Sequence, residues 1–168
     1  MKNRIVKTIT FNAIVAAIYF CLTMISSPIS FGPIQVRIAE ALVLLCFFNR
    51  DYVFGVTIGC LLSNLSSPIP LDIVVGTLAT FISCIGVSLF KHLFLSTLVP
   101  IVVNGFAIAA ELFFLSDTTI PYFGIVGFIA IGEFIAVSVI GYLLFLALRK
   151  NSKFFEVINT KQNRDFIW

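Results

Sequence analysis

Residues 32–48, GPIQVRIAEALVLLCFF, place an arginine and a glutamate (Arg37 and Glu40) three positions apart at the mouth of an apolar helical run. On a water-facing surface such a pair is ordinary. This chain of 168 residues, however, is 60% hydrophobic and only 11% charged, with a mean hydropathy of +1.09. Soluble domains carry about 25% charged residues, and the apolar residues here come in long runs. The composition is that of an integral membrane protein. Inside a bilayer an ionisable pair is costly, so Arg37 and Glu40 call for a partner, a cavity or a ligand.

Working outward from that stretch, six apolar segments emerge, at 8–25, 35–48, 52–65, 72–90, 96–115 and 122–148. At about 20 residues per span the length admits five or six helices in one compact bundle. The sequence therefore predicts an all-α membrane protein, a six-transmembrane-helix bundle over 1–150 with a short polar tail at 151–168. The second and third segments are short, about 21 Å each by helical rise. A re-entrant hairpin covering both would strand Asn49, Arg50 and Asp51 near mid-membrane, so two short spans are the better reading. The basic residues set the orientation. With the N-terminus inside, the cytoplasmic pieces hold Lys2, Arg4, Lys7, Arg50, Lys91, Arg149, Lys150, Lys153, Lys161 and Arg164, and Arg37 is the eleventh. Both termini are then cytoplasmic.

Other classes recede. The net charge of +3 comes from residues at the chain ends and turns and is no nucleic-acid signal. Cys21, Cys46, Cys60 and Cys84 lie in apolar runs without metal-ligand spacing, so no metal or cofactor is expected. The basic N-terminus with its apolar run reads as an uncleaved first helix, because no small-x-small cleavage site follows. No metal-ligand pair, Ser/His set or phosphate-binding motif is present, which argues against an enzyme.

Polar and small residues within the spans carry the functional signal. Ala13 and Ala17 form a flat strip that serves either bundle packing or docking of another helix. The loop 27–35, SPISFGPIQ, is stiffened by two prolines and made apolar by Phe31 and Ile34, so it serves either as a plain connection or as a lid in which Phe31 to Gln35 fold down on a cavity. Asn64 ends the third segment. Asp72 is placed to cap the fourth helix or to meet a ligand. Gly76, Thr80 and Ser83 share one face, as do Asn104 and Glu111. At 1.5 Å per residue, Arg37 and Glu40 lie about 3–8 Å below the outer end of their helix, and Glu111 about 6 Å. Asn104 and Glu133 lie about 16 Å deep by the same rise.

The charges thus gather in the outer half of the bundle, while the inner half holds Asn12 and scattered hydroxyls. A cup open or lidded toward the outside fits this distribution. A channel would be polar from face to face, and a self-sufficient carrier would show an inner route and repeated broken helices. Glu40, Glu111 and Glu133 outnumber Arg37, and a buried carboxylate must be paired or protonated. A guanine-like edge with adjacent N–H donors suits one carboxylate and an ammonium suits another. A structural Arg37–Glu40 pair with protonated Glu111 or Glu133 would also account for the counts.

Three blocks in fixed order, FGPIQVRIAEALVLL, GVTIGCLLSNLSSP and DIVVGTLATFIS, resemble the QueT family of substrate-binding S components of energy-coupling factor (ECF) transporters. The resemblance runs from the first helix to the sixth. It implies a six-helix S-component fold in a prokaryotic plasma membrane, with the ligand held in the outer half beneath the first loop. It also implies a transmembrane coupling subunit (EcfT) and two ATPase subunits as partners, and uptake of a queuosine precursor, 7-aminomethyl-7-deazaguanine. On that resemblance Ala13 and Ala17 meet the coupling subunit. Substrate-binding residues are expected among Phe31, Gln35, Arg37, Glu40, Asn64, Asp72, Asn104, Glu111 and Glu133. Another micronutrient such as cobalamin, or a structural membrane subunit without transport, are the alternatives.

Overall fold

The computed structural model describes residues 2–30, 35–115, 119–158 and 167. Their regular structure is helical, apart from one isolated bridge between His92 and Ile167. In chain order come α1 (Lys2–Ile25), the single turn α2 (Ser27–Ser30), a 3-10 helix (Ile38–Leu44) running into α3 (Leu45–Phe48), and α4 (Tyr52–Asn64). A 3-10 turn (Pro70–Ile73) leads into α5 (Val75–Val87), followed by α6 (Leu93–Ser96) and α7 (Leu98–Leu115). Then α8 (Tyr122–Glu133) passes through a π-helix (Phe134–Gly141) into α9 (Tyr142–Leu148), and α10 (Ser152–Val157) follows.

Among the described residues, four stretches are long and apolar enough to cross a membrane: Ile5–Ile25, Pro70–Val87, Leu93–Leu115 and Tyr122–Leu148. Ile38–Phe48 and Tyr52–Asn64 are shorter apolar helices, as their short runs predict. Large apolar side chains such as Ile14, Ile18, Phe54, Ile82, Phe114, Ile131 and Leu143 point outward. An apolar exterior on this scale exceeds the few hundred Å² usual for a soluble monomer and suits lipid.

Two close helix contacts set the frame. α1 and α4 run parallel with backbones nearly touching, because α4 carries glycines at 55 and 59. A Cβ on Gly55 would lie 2.7 Å from Asn12 Oδ1, and one on Gly59 2.7 Å from Tyr19 Cβ and 2.9 Å from the Ala16 carbonyl. Asn12 Oδ1 accepts from the Gly55 amide at 2.7 Å, serving a donor in the first turn of α4. The buried strip is therefore Asn12, Ala16 and Tyr19 against Gly55 and Gly59. Ala13 and Ala17 are exposed beside that strip on α1. The second contact sets the 3-10 helix against the π-helix, where a Cβ on Gly141 would lie 3.2 Å from Ala41 Cα. Among the described residues α7 packs between α5 and α8.

Two expectations need amendment. Residues 35–37 are not helical: Arg37 is extended at φ −90°, ψ 94°, and Glu40 lies in the first turn of a 3-10 helix. The first part of the C-terminal segment, read as a polar extension, folds back on the bundle. Phe155 meets Phe48 with ring centroids 5.3 Å apart, and Phe48 stacks on Phe145 at 5.2 Å. The Ile158 carbonyl accepts from Asn49 Nδ2 at 3.2 Å and from the Tyr52 hydroxyl at 3.3 Å. Phe154, Phe155 and Ile158 supply apolar area that the charge count of the tail conceals.

Candidate functional site

The helices α1, α4, α5, α7 and α8, the 3-10 helix Ile38–Leu44 and the 3-10 turn Pro70–Ile73 supply buried polar side chains that bond from one element to another. Arg37, 5% exposed, reaches Asn64 and Asp72: Nη1 donates to Asn64 Oδ1 at 3.0 Å and Nη2 to Asp72 Oδ2 at 3.3 Å. The extended backbone at Arg37 sends the guanidinium across to α4 and the 3-10 turn before α5. Asn64 completes the loop by donating from Nδ2 to the Asp72 carbonyl at 2.9 Å. It fits because residue 76 is glycine, whose Cβ would sit 2.8 Å from Asn64 Nδ2. Asp72 Oδ2 also accepts from the Ser67 hydroxyl. Asp72 does not cap the helix that follows it: Val74 holds the N-cap position of α5, and no side chain caps it.

Glu40 is fully buried and held from other directions. Its Oε1 accepts from the Tyr19 hydroxyl of α1 and from the Thr80 hydroxyl of α5 at 3.2 Å. Thr80 Oγ1 lies 3.2 Å from Cys60 Sγ on α4. Arg37 and Glu40, three positions apart in sequence, thus belong to two different hydrogen-bond sets. Arg37 ties the α4–α5 corner and Glu40 ties α1 to α5.

Between α7 and α8, Asn104 Nδ2 donates to Glu133 Oε1 at 2.8 Å, linking the two helices. Glu133 is the last residue of α8 before the π-helix begins. Such π segments recur at functional sites. Glu111, two turns along α7 from Asn104, is buried, and the charges of Asp72 and Arg37 act on it. Glu133 in turn lies within electrostatic reach of Glu40 and Arg37.

What this assembly leaves open is a set of oxygens. Glu40 Oε2, Asp72 Oδ1, Asn104 Oδ1, Glu133 Oε2 and both carboxylate oxygens of Glu111 are buried without a hydrogen-bond partner. Burying an unsatisfied polar oxygen costs about 1–3 kcal/mol, and more for a charged one. An acceptor-rich cluster of this kind suits a molecule that brings several N–H donors. Among the described residues no group of three His, Cys, Asp or Glu side chains could hold a metal ion.

Of the residues singled out from sequence, Arg37, Asn64 and Asp72 are directly bonded, and Glu111 adjoins them. Glu40 lies in a neighbouring network, and Asn104 and Glu133 form a bonded pair. Gln35 is buried beside this region of the chain. Phe31 lies outside the described residues. Tyr19 was missed, although a tyrosine inside an apolar span is itself a signal, because its buried hydroxyl needs a partner. Ser67 and Cys60 were missed too, since neither has a spacing signature.

Fold and site together define a multi-pass helical membrane protein with a buried site built to accept hydrogen bonds. The chain belongs to the QueT transporter family, whose profile matches residues 9–150. It is similar to the queuosine precursor transporter QueT of Lactococcus lactis subsp. cremoris (strain MG1363), with 36% identity over 148 residues, covering 79% of this chain and 86% of that protein. No solved structure matches it significantly.

Proposed function

We propose that the protein is the substrate-binding S component of an ECF-type transporter and takes up a queuosine precursor, 7-aminomethyl-7-deazaguanine. It works in a prokaryotic plasma membrane with a coupling subunit (EcfT) and two ATPase subunits. One observation carries the ligand reading. Six buried oxygens on Glu40, Asp72, Asn104, Glu111 and Glu133 lack donors, and this ligand offers ring and exocyclic N–H groups together with an ammonium. The name of the Lactococcus relative supports the same cargo. A corrinoid such as cobalamin would need a wide opening, which Arg37, Asp72, Asn104 and Glu133, each at most 5% exposed, do not offer.

The membrane arrangement belongs to this reading. Six spans with both termini cytoplasmic put the site in the outer half. Arg50 donates to the Ser88 carbonyl at 3.5 Å and Asn49 bonds to Ile158, so the turn after α3 lies at the end of the bundle opposite Asp72. That placement favours two short traversals over a re-entrant hairpin. Ala13 and Ala17, exposed on α1, are the docking strip for the coupling subunit, and Ala13 borders a groove of about 380 Å³ between α1 and α4. Gln35, buried where the first loop re-enters the described chain, belongs to the lid over the site.

Calorimetric titration of the purified chain tests the cargo: saturable binding of 7-aminomethyl-7-deazaguanine is expected, and no binding below millimolar concentration overturns it. Co-expression with the coupling subunit and ATPases tests the class. Ala17→Trp is expected to abolish their co-purification, and retention of the complex by that variant would misplace the docking strip.

A further inference from the structure

The open oxygens fall into two groups with different chemistry. The first lies on α7 and α8. Because Asn104 spends Nδ2 on Glu133 Oε1 at 2.8 Å, the pair is locked together, and Asn104 Oδ1 and Glu133 Oε2 remain as two unpartnered acceptors. Both side chains are at most 4% exposed. Two acceptors held on bonded neighbours match two adjacent N–H donors on the edge of a planar heterocycle.

The second group lies at the Arg37 corner. Asp72 Oδ2 is occupied by Arg37 and Ser67, leaving Oδ1, and Glu111 faces Asp72 closely enough for the two carboxyls to share a proton, its oxygens having no donor from another residue. These are three acceptors. In their ionised forms Asp72 and Glu111 carry two negative charges against the single positive charge of Arg37, which is a surplus of one. A primary ammonium brings three N–H donors and one positive charge, so it matches the vacancy in both donor number and charge. Asn104 and Glu111 are seven residues apart, two turns and about 10 Å along one face of α7. A bicyclic base with a short amine arm spans such a distance.

We infer that the site is divided, with Asp72 and Glu111 receiving the ligand's ammonium and Asn104 and Glu133 its heterocyclic N–H edge. This rests on the deazaguanine reading above and adds a specificity element to it. Glu111 is the residue that distinguishes an amine-bearing precursor from a neutral one, whereas Glu133 recognises the shared ring.

The test compares two probes by calorimetry on the full chain: 7-aminomethyl-7-deazaguanine and its uncharged 7-cyano analogue. The unmodified protein is expected to prefer the amine by roughly ten- to hundredfold, the worth of a charge-assisted hydrogen bond. Glu111→Gln, which keeps the side-chain shape and removes the charge, is expected to collapse that preference to within about threefold. Glu133→Gln is expected to weaken both probes by a similar factor and to preserve the preference. Either variant decides alone if the other fails to fold. Division is overturned if Glu111→Gln leaves the preference intact or if Glu133→Gln abolishes it. Binding of neither probe by the unmodified protein instead removes the ligand reading, and the division falls with it.

Discussion

Arg37→Met should be among the most damaging single changes in this chain, and the reason can be worked from its contacts. The side chain is 5% exposed and bonds to Asn64 at 3.0 Å and Asp72 at 3.3 Å. Methionine preserves much of the apolar stem but deletes the cation. Asp72 then keeps the Ser67 hydroxyl as its donor, and no compensating charge faces it. Removing one partner of a buried ion pair costs about 3–5 kcal/mol, because the other charge is left uncompensated. For a chain of this size each kcal/mol lowers the melting temperature by about 2–4 °C, so a fall of about 6–20 °C is expected. Thermal unfolding in detergent, followed by helical circular dichroism, measures it. The cycle is completed with Asp72→Asn and the double variant. Removing both charges removes the uncompensated carboxylate, so the double variant should be more stable than the two single losses predict, by about 1 kcal/mol or more. Additivity within about 0.5 kcal/mol, or an Arg37→Met melting point within about 2 °C of the parent, would refute a coupled buried pair at this corner.

Three other outcomes follow from the geometry. Tyr19→Phe leaves Glu40 with Thr80 as its donor and should weaken ligand binding by roughly tenfold, the worth of one hydrogen bond to a charged group; calorimetry reads it, and an unchanged affinity would separate Glu40 from the ligand. Gly59→Ala should destabilise by about 1–3 kcal/mol through overpacking, since its Cβ would meet the Ala16 backbone and Tyr19 Cβ. Gly127→Ala, with nothing within 4 Å of the new Cβ, should be neutral or slightly stabilising, and thermal melts of the two variants check the contrast. Asn49→Ala removes a donor to the Ile158 carbonyl and should speed proteolytic trimming of the C-terminal segment, read by mass spectrometry of timed digests.

The helical segments were legible because hydropathy acts over whole spans, and α8 to α9 coincides with the apolar run at 122–148. The polar residues of the site were legible for a related reason: a charged or amide side chain in an apolar run stands out whatever its neighbours. Their pairing was not. Arg37 and Glu40 look like partners at a spacing of three, yet the backbone at Arg37 is extended, and the two side chains leave for different helices. Which helix each one meets depends on tertiary approach, which no local spacing encodes. The tight α1–α4 contact was half visible. Small residues in the first segment were noted, but the glycines at 55 and 59 that meet them were not, and the face that is buried proved to be that of Ala16. The folded-back tail was hidden because two phenylalanines in a charged segment weigh little in an average.

α1 carries two neighbouring stripes with different surroundings. Tyr19, on one of them, reaches Glu40, while Ala13 and Ala17 lie exposed further round the same helix. Gly55 and Gly59 bring α4 to backbone contact with α1, so the helix that carries Asn64 of the Arg37 corner is packed directly against the helix that carries Tyr19. Both hydrogen-bond networks therefore hang on one closely packed pair of helices, and that pair has an exposed flank.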